Sequence, residues 1–466
     1  MFGLLNYTTY PAIVTEEGKI YTYGCLNKVA IELSKYIRKK TLVFCLCENT
    51  IGSLVGYISF INNHIPTVLL DGSKDLNMIL NLINIYSPKY IWVSNHRKHE
   101  FSEGRDVYTN EDYSLLEFNV SDCEIDHELL LMLTTSGSTG SPKLVRLSYA
   151  NVLSNAESIA DYLNITSEER PITSLPMYYS YGLSVINSHL IKGATILLTN
   201  KPVVQKEFWT FAKEQKATSI AGVPYTYEVL KRLRIFRMNL PHLRTMTQAG
   251  GKLNAAIVKE YVEQAEASGK RFIVMYGQTE ATARMSYLPW EKTGEKYSSI
   301  GIAIPGGKFS LIDENKNEIT TPGIDGELVY AGPNVSMGYA ECREDLAKGD
   351  ENHGVLHTGD IARRDEEGFY YITGRLKRFV KVWGNRCNLD ATEQFVKAIT
   401  TNCACAGVDD KITIFVTEEG WDGKIKSLLS EKMGLNVRAF AVKVINAIPK
   451  NDSGKIQYAE LQKMLD

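Results

Sequence analysis

Residues 130–146 read Leu-Leu-Met-Leu-Thr-Thr-Ser-Gly-Ser-Thr-Gly-Ser-Pro-Lys-Leu-Val-Arg, an aliphatic run that delivers a loop of hydroxyls, two glycines and a lysine. This composition suits phosphate binding. Thr134, Thr135, Ser136, Ser138 and Thr139 offer O–H donors, Gly137 and Gly140 let backbone N–H groups approach an anion closely, and Lys143 adds a positive charge. A P-loop requires its lysine directly after the second glycine and a hydroxyl residue after that. Here Ser141 and Pro142 separate Gly140 from Lys143, Leu144 follows it, and Pro142 opposes a helix running straight out of the loop. Residues 143–147 therefore predict a return strand. Ser148 then predicts an N-cap for a helix whose apolar stripe is Val152, Leu153, Ala156, Ile159, Ala160 and Leu163. The loop is expected to join two strands. A loop of Ser, Thr and Gly is, without other motifs, an ordinary surface turn.

At 466 residues the chain exceeds what one hydrophobic core fills, so two or more domains are expected. With 44% hydrophobic and 23% charged residues it has an ordinary globular composition. A net charge of −2 provides no global attraction to nucleic acid or acidic membranes, leaving only local patches, and nucleic acid is not expected as a partner. The first residues lack a basic segment and an apolar core of signal-peptide type. The most apolar stretch, residues 51–70, is interrupted by Asn62, Asn63, His64 and Pro66, which predicts a buried helix followed by a strand rather than a membrane span. A cytoplasmic location is the expectation. The eight cysteines lack metal-ligand spacing; Cys45 and Cys47, like Cys403 and Cys405, share one face of a strand, as reduced buried thiols do. No signal fixes an oligomeric state.

Residues 11–95 alternate strand-like and helix-like segments, with strands over 41–47 and 65–71 around a helix over 51–62, an α/β pattern. Residues 96–127 are polar and irregular and predict a connection to the central loop. Ala221-Gly-Val-Pro-Tyr and Leu243-Arg-Thr-Met-Thr-Gln-Ala-Gly-Gly-Lys-Leu predict successive strand ends with glycine loops, where open parallel sheets place ligands. Residues 300–374 predict short β-segments forming a small β-subdomain.

The loop at 130–146, together with Phe272-Ile-Val-Met-Tyr-Gly-Gln-Thr-Glu-Ala-Thr, resembles the adenylate-forming superfamily. That superfamily includes acyl- and aryl-CoA synthetases, adenylation domains of peptide synthetases and firefly luciferase. Further ordered motifs extend the resemblance over essentially the whole chain: His357-Thr-Gly-Asp, Gly374-Arg-Leu-Lys-Arg-Phe-Val-Lys-Val-Trp-Gly-Asn-Arg, and Ile448-Pro-Lys-Asn-Asp-Ser-Gly-Lys-Ile. The resemblance implies a large N-terminal domain of layered α/β subdomains plus a small β-subdomain over residues 1–376. A small, mobile α+β C-terminal domain would follow over 377–466.

The same resemblance implies roles for individual residues. The loop from Thr134 to Gly140, with Lys143, holds the ATP phosphates, and Gly250 and Gly251 form the adenine-side loop. Tyr276 stacks on adenine beside Gly277, Thr279 touches the α-phosphate, and Glu280 holds Mg²⁺ as a hard oxygen ligand. Asp360 accepts hydrogen bonds from the ribose hydroxyls, with Arg375 as the second ribose or phosphate contact. Lys455 is the catalytic lysine of adenylation, and Lys377 occupies the hinge, where many relatives carry aspartate. Lys381, Gly384 and Arg386, with Glu393 further on, match the face that acts in thioester formation.

The chain departs from the family pattern at Tyr179, where a histidine commonly gates the acyl pocket. An aspartate that would hold a substrate ammonium is absent nearby, which disfavours an α-amino acid. Tyr179, Ala249, Gly250 and Met275 are the candidate pocket residues; Tyr178, Tyr179 and Tyr181 equally suit the edge of a core. Residues 399–419 are abbreviated, so the C-terminal domain is smaller than typical. The implied activity is an AMP-forming ligase that converts a carboxylic acid and ATP to an acyl-adenylate and passes the acyl group to a thiol. CoA is the first candidate for that thiol and the phosphopantetheine of an acyl carrier protein the second. A non-catalytic adenylate-binding protein and a nucleic-acid-binding module using the basic run at 375–386 are the readings from other classes.

Overall fold

The strand Leu129–Thr134 and its return Leu144–Ser148 pair antiparallel, with Leu133 opposite Val145 and Thr134 opposite Leu144, so the hydroxyl-rich segment does join two strands. The computed structural model describes residues 2–38, 40–134, 143–450 and 456–465. Thr135, Ser136, Gly137, Ser138, Thr139 and Gly140 lie outside them, as does Lys455. The return strand feeds the helix Tyr149–Tyr162, capped as expected: Ser148 Oγ accepts from Asn151 N at 3.1 Å while Asn151 Oδ1 accepts from Ser148 N at 2.9 Å. Such a reciprocal cap stabilises a helix start by about 1 kcal/mol.

The chain forms two compact units. One comprises residues 1–297, 303–308 and 331–356; the other comprises 298–302, 309–330 and 357–466. In the first unit, one sheet runs in spatial order Gly338–Ala340, Leu144–Ser148, Leu129–Thr134, Thr67–Asp71, Val43–Cys47, Tyr90–Ser94, Tyr113–Glu117 and Arg105–Asn110. Its four central strands, from Leu129–Thr134 to Tyr90–Ser94, are parallel. Parallel strands covered on both faces read as continuous apolar runs, and Val43–Cys47 is buried at every position.

The helix Ile51–Asn62 packs on this sheet with ten of its twelve residues buried, and Cys45 and Cys47 lie beneath it as free thiols. Residues 96–127 are more ordered than expected. Arg105–Asn110 and Tyr113–Glu117 form an antiparallel hairpin that closes the sheet's far edge. The outer strand is polar because only one of its edges is paired, so its apolar pattern is weak.

A second sheet of the same unit runs Ser286–Tyr287, Arg271–Tyr276, Thr245–Gln248, Ser219–Gly222, Pro171–Ile172, Ile196–Leu198, Pro11–Thr15 and Ile20–Thr22. The strands from Arg271–Tyr276 to Pro11–Thr15 are mutually parallel, so the C-terminal ends of Thr245–Gln248 and Arg271–Tyr276 open on one edge, as expected for the glycine loops.

The second unit contains the expected short β-segments, a sheet in the order Lys308–Ile312, Gly326–Ala331, Val355–Arg364 and Tyr370–Arg375 whose last two strands pair antiparallel. It continues into the hairpin Phe379–Val382/Asn385–Asn388 and a three-stranded sheet of Cys403–Val408, Lys411–Val416 and Phe440–Val444, packed against the helices Leu389–Lys397 and Asp422–Met433. At the hairpin turn, Trp383 (φ 47°) and Gly384 (φ 84°) are both left-handed, as a tight two-residue turn requires. No helix among the described residues is long and apolar enough to cross a membrane.

Candidate active site

In the first unit the strand Arg271–Tyr276 hands over to a tight loop that carries Thr279 and Glu280 in one turn of 3₁₀-helix. The loop folds back on itself. Met285 N donates to Tyr276 O at 2.9 Å, and a Cβ on Gly277 would stand 1.6 Å from Ala283 O, so only glycine fits. Thr282 (φ 57°) and Ala283 (φ 107°) hold left-handed conformations that cost a β-branched or Cβ-bearing residue about 1–3 kcal/mol each.

Surrounding side chains pin this conformation. Asn334 Nδ2 donates to Ala281 O and to Arg284 O, both at 2.8 Å; Asn155 Nδ2 donates to Arg284 O at 2.9 Å; and Thr282 Oγ1 donates to Asn334 O at 2.6 Å. Strain held by so many partners is a mark of a functional loop rather than a connector.

Glu280 is brought to the loop lysine by a residue that sequence reading passed over. Tyr339 O–H donates to Glu280 Oε1 at 2.9 Å, while Lys143 Nζ lies 3.7 Å from the centre of the Tyr339 ring and 3.4 Å from Glu341 Oε1. Burial, and then the Glu280 charge, push the Tyr339 phenol pKa up, so it stays an O–H donor at neutral pH. The strand Gly338–Ala340 is held beside Leu144–Ser148 by the fully buried Arg146, whose Nε donates to Tyr339 O at 3.0 Å and Nη2 to Met337 O at 3.0 Å. The second oxygen of Glu280 has no protein partner among the described residues, and no group of three or more His, Cys, Asp or Glu is assembled there. One free carboxylate oxygen suits a Mg²⁺ ion that takes its remaining ligands from phosphate and water.

Thr279 faces the start of the helix Ser180–Leu190, with its Oγ1 3.1 Å from Ser180 Oγ. Tyr179, the residue preceding that helix, presses its hydroxyl against the glycine loop. A Cβ on Gly250 (φ +81°) would stand 2.5 Å from Tyr179 Oη, so the phenol in place of the family histidine needs a glycine opposite it.

Tyr179, Ala249 and Met275, three of the four expected pocket residues, join one apolar cluster with Leu175, Tyr181 and Tyr162. Tyr181 is core: its O–H donates to Thr247 O at 2.7 Å, and burial pushes its pKa up to about 12. Behind the cluster lies a cavity of about 30 Å³ lined by Leu163, Ser184, Val185, His189, Met275 and Arg284, among others. Arg284 also escaped sequence reading, although a lone guanidinium eight residues after Tyr276, in a run of small residues, was a visible signal.

His189 lies inside the fold, and burial pushes its pKa down to about 4 against the opposing hydrogen bond from Nδ1 to Val185 O at 2.8 Å and, after it, the Glu169 charge. The unfolded imidazole, near 6.5, takes up a proton before the native one as pH falls. Stability is therefore complete above pH 6.5 and declines towards pH 4, by about 3 kcal/mol in all. His189→Gln is expected to flatten that slope. Denaturant midpoints at about pH 7 and about pH 5 measure it; an equal acid-side decline in wild type and variant would assign the slope to other groups.

In the second unit Asp360 and Arg375 face each other across the strands Val355–Arg364 and Tyr370–Arg375, with Arg375 Nε 2.7 Å from Asp360 Oδ1. The two expected ribose contacts are thus one ion pair, its carboxylate buried and its guanidinium half exposed. Lys377 lies in the 3₁₀ turn Leu376–Arg378, and Lys381 and Gly384 lie on the hairpin, with Lys381 exposed.

Glu393 differs from expectation. It is buried and accepts from Cys405 N at 2.9 Å, Lys397 Nζ at 2.6 Å, Tyr458 O–H at 3.1 Å and Arg378 Nη2 at 3.4 Å. The Arg378 guanidinium also lies 3.5 Å over the Tyr458 ring. Glu393 therefore anchors the interior of this unit instead of lying on a reactive face.

Residues 65–340, more than half of the chain, match the family model described as AMP-binding enzyme. A feruloyl-CoA synthase from Amycolatopsis sp is 26% identical over 350 residues, covering 72% of this chain and 70% of that protein. A 2-succinylbenzoate–CoA ligase from Bacillus cytotoxicus is 25% identical, covering 98% of this chain and 96% of that protein. Among solved structures, o-succinylbenzoate CoA synthetase (MenE) from Bacillus subtilis in complex with ATP and magnesium ion superimposes with a TM-score of 0.78 at 20% identity, covering 99% of this chain and 98% of that one. Its complex with the acyl-adenylate OSB-AMP gives 0.78 at 19% identity, covering 99% and 96%.

Proposed function

The chain belongs to the AMP-binding enzymes, and from that premise we propose that it activates a carboxylic acid with ATP as an acyl-adenylate and transfers the acyl group to CoA. The observation that carries the reading is the convergence of Lys143, Tyr339, Glu280 and Thr279 beside the apolar cluster of Tyr179, Ala249 and Met275. Polar groups suited to phosphates thus adjoin an apolar cluster suited to an acyl group, and Met275 of that cluster also lines the cavity beside Arg284. The similar MenE binds ATP and magnesium and forms an acyl-adenylate, and the other relatives are named as CoA synthetase and ligase, which supports the same assignment here.

A carboxylate is repelled by a triphosphate, so their encounter needs fixed positive charge and donors. Lys143 and the hydroxyls of residues 134–139 would cradle the phosphates, Tyr276 and the Gly250–Gly251 loop the adenine, and Asp360 with Arg375 the ribose. Mg²⁺, held through Glu280, would supply charge neutralisation. A substrate carboxylate oxygen attacks the α-phosphorus, the bond to the β-phosphate oxygen breaks, and pyrophosphate leaves. In the second step a thiolate attacks the acyl carbon and AMP departs with the bonding electrons.

We assign Lys455 to the first step and Lys381, with Gly384, to the second. Residues 377–466 would move as a domain against 1–376 about Lys377, a hinge transition that exchanges the two lysines at one site.

Supplying ATP, Mg²⁺ and a panel of short, medium, long-chain and aromatic acids, with either CoA or a holo-carrier protein, tests the acceptor. The proposal expects acyl-CoA and AMP to form with saturation in CoA. Turnover with holo-carrier protein alone would reassign the acceptor, and ATP binding with no acid-dependent product would reassign the protein as a binding protein.

A further inference from the structure

The Arg284 guanidinium is 98% buried, leaving 2% of the residue exposed, yet it has no acidic partner. Its Nε donates to Met275 Sδ at 3.4 Å, and its plane lies 3.9 Å over the Tyr181 ring. Among the described residues no carboxylate lies within 4.0 Å of it; its polar neighbours are neutral phenols, with the Tyr162 hydroxyl sharing a hydrogen bond with it and Tyr179 and Tyr181 within reach of its charge. The one acidic side chain lining the same cavity, Glu169, is already engaged by Arg244 Nη2 at 2.7 Å and by the Thr218 hydroxyl. An arginine cannot shed its charge, and a buried charge without a partner is strongly unfavourable, so such a group is normally matched.

The position is deliberate in backbone terms. Arg284 follows the left-handed Ala283, and its carbonyl is held by both Asn155 and Asn334. The loop that presents Thr279 and Glu280 therefore also aims the guanidinium into the cavity that Met275 and Val185 line.

We propose that Arg284 anchors a second carboxylate on the acid substrate, making that substrate a short dicarboxylic acid activated at its other end. This rests on the ligase reading above. The reacting carboxylate loses its charge on adenylation, so an ion pair fixed to it would favour the ground state over the transition state. A distal carboxylate keeps its charge and every bond throughout both steps, so its pairing with Arg284 persists. The cavity is small, which limits the acid to a short chain.

The test compares linear dicarboxylates of three to six carbons with monocarboxylates of equal length, on wild type, Arg284→Leu and Arg284→Lys, by ATP–pyrophosphate exchange. Wild type is expected to favour a diacid over its monoacid by at least about tenfold, and Arg284→Leu to lower that ratio of kcat/KM by about 100-fold, with Arg284→Lys restoring part of it. A wild-type preference for monoacids, or equal losses on both classes, would overturn the assignment. Calorimetric binding of the same diacids to folded wild type and Arg284→Leu, with thermal melts as the folding control, reads the site without turnover. Diacid binding lost in Arg284→Leu supports the site even if no acid is adenylated, in which case only the ligase reading fails; binding absent from wild type or equal in both proteins overturns it.

Discussion

Gly277→Ala is expected to lower acid-dependent pyrophosphate exchange by at least about 100-fold and to destabilise the protein by about 2 kcal/mol. The added methyl would stand 1.6 Å from Ala283 O, a separation no packed pair tolerates, and the obstacle is backbone. Relief requires the loop from Tyr276 to Arg284 to move, but its return arm is tied down by Asn334 and Asn155. Thr279, Glu280 and Arg284 would shift together, so phosphate, metal and acid contacts would all degrade at once. Exchange kinetics and a thermal melt on the same preparation separate the two effects. Wild-type exchange in Gly277→Ala would show that the loop is not the catalytic element.

The second large effect concerns Lys455, which lies outside the described residues and is assigned by motif. Lys455→Ala is expected to reduce adenylate formation by about 1,000-fold or more, the scale of losing a charged group that acts on the developing phosphate charge. It should spare thioester formation from supplied acyl-adenylate and CoA, because that step is assigned to the face bearing Lys381. Lys381→Ala should show the converse. Equal loss of both half-reactions in either variant would refute this division of labour.

The parallel sheets were legible because buried parallel strands are apolar at every position, as in Val43–Cys47, and because their helices carry clear stripes and caps, as at Ser148. The hairpin over residues 105–117 was not legible, since Arg105–Asn110 is an exposed edge strand whose composition resembles a loop. The same contrast holds for the site. Tyr276, Thr279, Glu280 and Asp360 are read from contiguous motifs.

Tyr339, Arg146 and Asn334 act through contacts with residues far away in sequence. Tyr339 reaches Glu280 across 59 positions and Asn334 reaches Arg284 across 50, and nothing local in either stretch announces its partner. Glu393 was misplaced for a related reason. Its position in a motif suggested a reactive face, but four donors from separate elements make it an interior anchor. Arg284 was visible as a letter; its meaning depends on burial and on the missing counter-charge, both of which exist only in three dimensions.

The central claim is that this chain makes an acyl-adenylate, and ATP–pyrophosphate exchange without any thiol tests it most directly. With Mg²⁺, ATP, labelled pyrophosphate and the acid panel including dicarboxylates, the account predicts label entering ATP only when a suitable acid is present, and no net AMP release until CoA is added. Label incorporation without acid, or none with any acid despite measurable ATP binding, would contradict it.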